Sequence, residues 1–358
     1  MYIIGLMSGT SLDGLDVAYC EFFNDSQFRL IAADTYHYPA AWQQRLSVLH
    51  QASAEEYARA DAELGHFFGE KVRQFMEAHP GRVDFISSHG HTVFHQPEAG
   101  FTAQIGDPNA IYAITGVPVV ADFRRLDVAL GGQGAPLVPI GDRLLFGQYD
   151  CCINLGGIAN ISYELDGARI AYDICPCNMA LNHLAGLQGL TYDADGKTAR
   201  EGNVLPQLLA RLETLDYYRV PPPKTLGKEW FEQRFLPVLA PSDSQPLRDR
   251  MRTVAEHIAL RLAAAITNSG CQIHKTLITG GGANNQYLLE LLKEKIGSID
   301  IESVDPRIVD FKEAIIFALL AFLRLEGRVN TLASVTGAQR DTSSGIIVGP
   351  LPGFASNM

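Results

Sequence analysis

The chain alternates short apolar runs with polar, glycine-punctuated breaks, a pattern that predicts a mixed α/β protein. Residues 2–6 read as a buried strand that stops at the polar cluster 8–14 and resumes as an apolar stretch over 17–23, a hairpin with a glycine-rich tip. Residues 28–37 add a third strand to the meander. Tyr57, Leu64, Phe67, Phe68, Val72 and Phe75 recur at helical spacing, which predicts a long amphipathic helix over 54–79, ended by Pro80-Gly81. A strand over 83–88, a His/Gly turn, a strand near 101–105, a short helix from Asn109 and a buried strand over 117–121 follow. The second half repeats this grammar. Strands over 150–155 and 158–163 flank Gly156-Gly157, a third lies near 169–172, and helices begin at about Asn178. Residues 217–230, with prolines at 221–223, read as a stiff surface loop. A long helix over 247–268 precedes a strand over 276–279 that runs into Gly280-Gly281-Gly282-Ala283-Asn284-Asn285 and a helix over 286–295.

Composition narrows the class. At 358 residues, 47% apolar and 19% charged, the chain is long enough for two domains with sizeable cores. A net charge of −11 without any Lys/Arg block argues against a nucleic-acid surface. No apolar run is long enough to span a membrane, and the first residues enter a strand and a polar turn instead of a basic region with a signal core, so no membrane partner and a cytoplasmic location are expected. Six cysteines without a CxxC spacing argue against a disulfide scaffold. The pairs Cys151–Cys152 and Cys175–Cys177 read as packing groups rather than zinc ligands.

Two places invite the parts of a nucleotide. At the first hairpin tip Gly9 and Gly14 permit close backbone approach, Thr10 and Ser11 donate, and Asp13 or Asp16 can position a metal ion or its waters. This is not a Walker loop, because GxxxxGK[ST] is absent and no helix follows at once. The glycine triplet at 280–282, between a strand and a helix, is where a backbone comes close to a flat ligand such as an adenosine moiety. Two similar halves, each opening on a polar hairpin, are the layout of actin-like ATPases and sugar kinases. The expected fold is therefore a two-domain actin-like (ribonuclease H-like) α/β architecture, with phosphate-facing turns on either side of an interdomain cleft.

GLMSGTSLDGLD at 5–16, SHGHTVFHQP at 88–97, QIGDPNAIYAITGVPVVADFRRLDVALGGQGAPLVP at 104–139, NLGGIANIS at 154–162, TGGGANN at 279–285 and KEAIIFALLA at 312–321 occur in that order. With these motifs the chain resembles the anhydro-N-acetylmuramic acid kinases, bacterial enzymes of peptidoglycan recycling. The resemblance implies a homodimeric, ATP- and Mg2+-dependent phosphotransferase. It opens the 1,6-anhydro bridge of the sugar with water and phosphorylates the oxygen released at carbon 6.

By that resemblance Asp173 in YDICPCN is the general base, a role its place after the strand near 169–172 independently suits. Arg124 matches the residue that takes the lactyl carboxylate, and Thr92, Glu313 and Asn178 match sugar-site positions. The stretch Gly9, Thr10, Ser11, Leu12, Asp13, Gly14, Leu15 and Asp16 is assigned to the nucleotide, with Asp13 for the metal, together with Gly156, Gly157, Gly280, Gly281, Gly282 and Asn284. His89, His91 and His95 are read as loop structure or polar sugar contacts. The domains are expected at 1–125 plus about 337–358 and at 126–336, with hinges near 123–127 and 336. YDICPCN carries cysteine at both glycines of the family's DTGPGN pattern, and Asn182 stands where the family has Asp. A kinase for a different amino sugar, or a nucleotide-binding regulatory module, are the competing readings.

Overall fold

The computed structural model describes residues 1–9, 12–302 and 304–351. Its chain divides into two compact units, Met1–Leu145 with Phe311–Met358, and Phe146–Asp310.

In the first unit β1 (Tyr2–Ser8), β2 (Gly14–Phe22) and β3 (Phe28–His37) form the expected antiparallel meander. β4 (Phe85–Gln96) joins β1 in parallel and β6 (Val119–Ala121) joins β4 in parallel, while β5 (Phe101–Ile105) folds back on β4. In the second unit β7 (Cys151–Leu155), β8 (Ile158–Leu165) and β9 (Ala168–Pro176) repeat the meander, and β10 (Lys275–Thr279) and β11 (Asp300–Glu302) extend it in parallel. The orders β3-β2-β1-β4-β6 and β9-β8-β7-β10-β11 are the same topology used twice; β12 (Ile346–Val348) caps the first sheet beyond β6. This is the two-unit α/β class that the sequence predicts.

Each sheet is buried by helices whose apolar stripes are legible in the sequence. Helix Ala54–Ala78 starts at Ser53, whose side chain accepts from the Glu56 N–H, and lays Leu64, Phe68, Val72 and Phe75 on Ile4, Leu6, Val17 and Ile86. Helix Pro306–Leu325 lies so close to β1 that a Cβ on Gly5 would sit 2.0 Å from the Ala314 carbonyl oxygen. Among the described residues no helix is long and apolar enough to cross a membrane.

Four expectations change. The His/Gly turn is no turn: β4 runs through it, with Gly90 at φ +73°. β9 continues to Pro176, so Asp173 lies inside a strand. The proline-bearing segment is not a detached surface loop, since Tyr217 and Leu226 are buried and its backbone pairs with β9 at Asp173. Residues 126–145 and 311–336 pack with the first unit, not the second. The Ser87 hydroxyl donates to the Phe317 carbonyl oxygen at 2.5 Å, and Asp127 accepts from Thr336 at 2.7 Å and from the Gly134 N–H at 2.7 Å.

Candidate active site

In the first unit, the hairpin tip is set by what flanks it. β1 ends at buried Ser8, whose hydroxyl meets the Tyr38 hydroxyl at 2.7 Å and His91 Nδ1 at 2.9 Å. Burial pushes the His91 imidazole down to about 4, so it is neutral at physiological pH. Across the turn the Asp13 carbonyl accepts from the Tyr38 N–H at 3.2 Å, and Leu12 takes a left-handed φ of 62°. Asp13 is exposed at the tip. Thr10 and Ser11 lie outside the described residues.

Other members of the assigned stretch are spoken for. A Cβ on Gly14 would stand 2.5 Å from the Tyr36 carbonyl oxygen, so β3 packing requires that glycine whatever binds at the tip. The Leu15 side chain is in the core. Asp16 accepts from the Thr35 hydroxyl at 2.6 Å. Among the described residues no group of three or more His, Cys, Asp or Glu side chains is arranged to hold a metal ion.

The same unit gathers Arg124, His89 and Glu313. Arg124, just past β6, donates from Nε and Nη2 to His89 Nε2 at 3.0 and 2.9 Å, and from Nη1 to the Gly134 carbonyl at 2.7 Å. Burial lowers its guanidinium to about 10, so it remains a cation, and the charge of Glu313 opposes that lowering. Burial raises the Glu313 carboxyl while Arg124 and Lys312 pull it back. Lys312 pairs with Asp142 at 2.7 Å in the interior. Thr92 lies three residues beyond His89 on β4, and its hydroxyl accepts from Gln104 Nε2 at 3.3 Å.

In the second unit, the β7–β8 turn offers its carbonyls to the helix Asn178–Gly186: Gly157 O accepts from the Cys177 and Met179 N–H groups, and Gly156 O from Asn178. Asn178 Nδ2 donates to the Leu155 carbonyl at 2.9 Å. Asn178, Gly281, Gly282 and Asn284 line one cavity of about 330 Å³, with Tyr192 and Asp195. The structure thus groups Asn178 with the residues assigned to the nucleotide. The glycines of the triplet differ in why they are glycine. A Cβ on Gly280 would be 2.3 Å from Asn154 Oδ1, and one on Gly282 2.7 Å from Leu155 Cβ, so packing excludes both. Cβ atoms on Gly281 and Gly157 would meet nothing closer than 3.7 Å. Those two positions leave open space that a side chain would fill.

Asp173 is held from three sides within this unit. Its N–H donates to the Lys224 carbonyl at 3.2 Å, its carbonyl accepts from the Tyr217 hydroxyl at 2.5 Å, and Oδ2 accepts from the Leu226 N–H at 2.8 Å. Lys224 stacks on Tyr217, its Nζ 4.5 Å from the ring centre. Burial pushes the Asp173 carboxyl up to about 6, with the Leu226 N–H working against it. That places it near the optimum for a base working at neutral pH. Cys175 and Cys177 are fully buried in the core, and burial holds both thiols protonated, the Cys177 thiol at about 12.

The family model described as anhydro-N-acetylmuramic acid kinase matches residues 1–350. The chain belongs to the anhydro-N-acetylmuramic acid kinase family. The anhydro-N-acetylmuramic acid kinase of Aliivibrio fischeri is 37% identical over 363 residues, covering 96% of this chain and 98% of the relative. That of Vibrio cholerae is 37% identical over 364 residues, covering 97% and 98%. Among solved structures, component A of the (R)-2-hydroxyglutaryl-CoA dehydratase of Acidaminococcus fermentans aligns at a TM-score of 0.47 and 12% identity, covering 89% of this chain and 96% of that one.

For this member of the anhydro-N-acetylmuramic acid kinase family, sequence reasoning missed three partners: His89 behind Arg124, the 217–226 segment around Asp173, and the Lys312–Asp142 pair. The adjacent Lys312-Glu313 charges at the head of the apolar run 314–323 were a usable signal for the last. Nothing in the spacing of 217–226 points to residue 173.

Proposed function

We propose that the chain is an ATP-dependent carbohydrate kinase that opens the 1,6-anhydro ring of anhydro-N-acetylmuramic acid with water and phosphorylates the 6-oxygen, giving N-acetylmuramic acid 6-phosphate and ADP in peptidoglycan recycling. The observation that carries this reading is the Asp173 carboxylate. One oxygen, Oδ2, is pinned by the Leu226 N–H, while Oδ1 has no hydrogen-bond partner among the described residues. Oδ1 is therefore open to orient a water and take its proton as that oxygen bonds to the anomeric carbon and the bond from that carbon to the bridging oxygen breaks. Arg124 anchors the lactyl carboxylate, and Thr92 and Glu313 orient the ring. The amides of 9–14 and the exposed Asp13 would hold phosphates and Mg2+, and Gly156, Gly157, Gly281, Asn178 and Asn284 the rest of the nucleotide. ATP supplies the phosphoryl group, and Mg2+ offsets its charge. The working form is a cytoplasmic homodimer.

The test is a panel of amino sugars in a coupled assay of ADP release. ADP should appear with anhydro-N-acetylmuramic acid and be matched by a 6-phosphorylated product. Faster turnover of a sugar without the anhydro bridge, or nucleotide binding with no sugar-dependent ADP, would discard the reading. The pH profile adds a second check. Asp173 acts only when ionised, so kcat should fall about tenfold per pH unit below about 6 and level off above it. A third concerns the open space: Gly281→Val should raise the KM for ATP by about tenfold or more while the melting temperature moves by no more than about 2 °C, because the protein itself has room there. An unchanged ATP KM would remove Gly281 from the nucleotide site.

A further inference from the structure

His89 owes its orientation to a defect in β4. Between Leu6 and Ser8 the β1–β4 register slips from Leu6↔Ser88 to Ser8↔His91, so β4 carries one extra residue. Gly90 takes φ +73° there, and a Cβ on it would stand 2.8 Å from the Ile105 carbonyl oxygen. Bulges of this kind re-aim a side chain. Here the ring turned inward is His89, only 5% exposed and packed on Phe317 with ring centres 4.7 Å apart. Burial and the neighbouring Arg124 charge keep it neutral, so Nε2 can accept.

Arginine has five N–H groups in a planar fork. Two of those on Arg124 go to His89 and one to Gly134, which leaves one on Nη1 and one on Nη2. An arginine without such an acceptor would lose the Nε–Nη2 edge as a reference and swing about its side-chain torsions. We infer that His89 is a positioning residue for substrate recognition: an acceptor set by the Gly90 bulge, it fixes the Arg124 guanidinium so that its two remaining N–H groups are presented to the substrate's carboxylate. This deepens the proposed function and rests on Arg124 being the carboxylate anchor. The two claims are separable by experiment.

His89→Phe keeps an aromatic ring against Phe317 and removes the acceptor, whereas His89→Gln restores an acceptor oxygen. Both are assayed with anhydro-N-acetylmuramic acid and with 1,6-anhydro-N-acetylglucosamine, which lacks the lactyl carboxylate. His89→Phe should raise the KM for the acidic sugar about 10- to 100-fold, as expected for a misaligned charged hydrogen bond, with kcat changed less than about threefold. The kcat/KM for the neutral sugar should stay put, and His89→Gln should recover most of the lost affinity. Arg124→Gln should show the same selectivity, and adding His89→Phe to it should cost nothing more. Equal losses on both sugars, or additive effects with Arg124→Gln, overturn the positioning role while leaving the kinase reading intact. An Arg124→Gln variant that does not distinguish the two sugars refutes the carboxylate anchor and the inference with it. His89→Met, a second variant without a ring acceptor, decides the same question where the phenylalanine variant is insoluble.

Discussion

Asp173→Asn is expected to reduce sugar-dependent turnover by about a thousandfold or more and, at the same time, to make the protein more stable at neutral pH. The first effect follows because the amide cannot take a proton from water, although it still accepts the Leu226 N–H and keeps the local geometry. The second follows from linkage. The folded carboxyl lies at about 6 against a usual 3.8, so the folded state holds its proton more tightly than the unfolded chain does. The ionised form therefore destabilises the fold. That penalty is absent below the unfolded value, grows as pH rises from 3.8 to about 6, and is complete above, reaching at most about 3 kcal/mol at 1.36 kcal/mol per unit. Thermal melts at pH 7.5 should place the variant several degrees above the parent, with the gap closing as the pH approaches 4. Retained turnover removes Asp173 as base. A variant no more stable than the parent at pH 7.5 would show that burial does not strain this carboxylate.

Gly5→Ala should be the most damaging single-methyl change in the first unit. Gly5 sits mid-strand between Ala18 on β2 and Ser87 on β4, and helix Pro306–Leu325 rests directly on it. An added Cβ would come 2.0 Å from the Ala314 carbonyl oxygen and 2.9 Å from the Ala318 nitrogen, both backbone atoms that cannot swing aside. Either strand or helix has to shift, at a cost of about 3 kcal/mol or more, which lowers the melting temperature by roughly 10 °C. The same helix carries Lys312 and Glu313, so kcat should fall with stability, by about a hundredfold for an ångström of displacement. Gly186→Ala, where an added Cβ has nothing within 4 Å, is the control and should be neutral. A Gly5→Ala protein that melts with the parent would mean the strand–helix contact relaxes freely.

The elements legible in advance are those in which a single local rule operates. The meanders, the helix Ala54–Ala78 and the strand-to-glycine turn at 279–282 declare themselves through periodicity and punctuation, because burial on one face imposes a period that the residues must obey. The repeated succession of elements is visible for the same reason, whereas the strand order of each sheet comes from pairing across the chain. The readings that change depend on residues far apart in sequence. The bulge at Gly90 looks like a turn from sequence, since glycine between histidines reads the same in either setting; pairing of β4 with both β1 and β5 makes it a strand. The segment 217–226 reads as exposed because its prolines exclude helix, yet its backbone groups find partners some fifty positions earlier.

For the site, residue types are readable and their states are not. An arginine after a strand and an aspartate beside a turn can be nominated from motif and chemistry. Which carboxylate is raised toward neutrality, which histidine accepts from which arginine, and which glycine is demanded by packing rather than left open are questions of burial and of neighbours brought close only by folding. The chain's order of apolar runs and glycine breaks by itself determined the α/β class and the hairpin-and-meander grammar repeated in its two halves. Tertiary structure alone decided the boundaries of the units, the partners of Asp173 and Arg124 and the protonation of both. Periodicity is written into neighbouring residues, whereas desolvation and hydrogen bonding belong to groups that folding brings together from separate stretches of the chain.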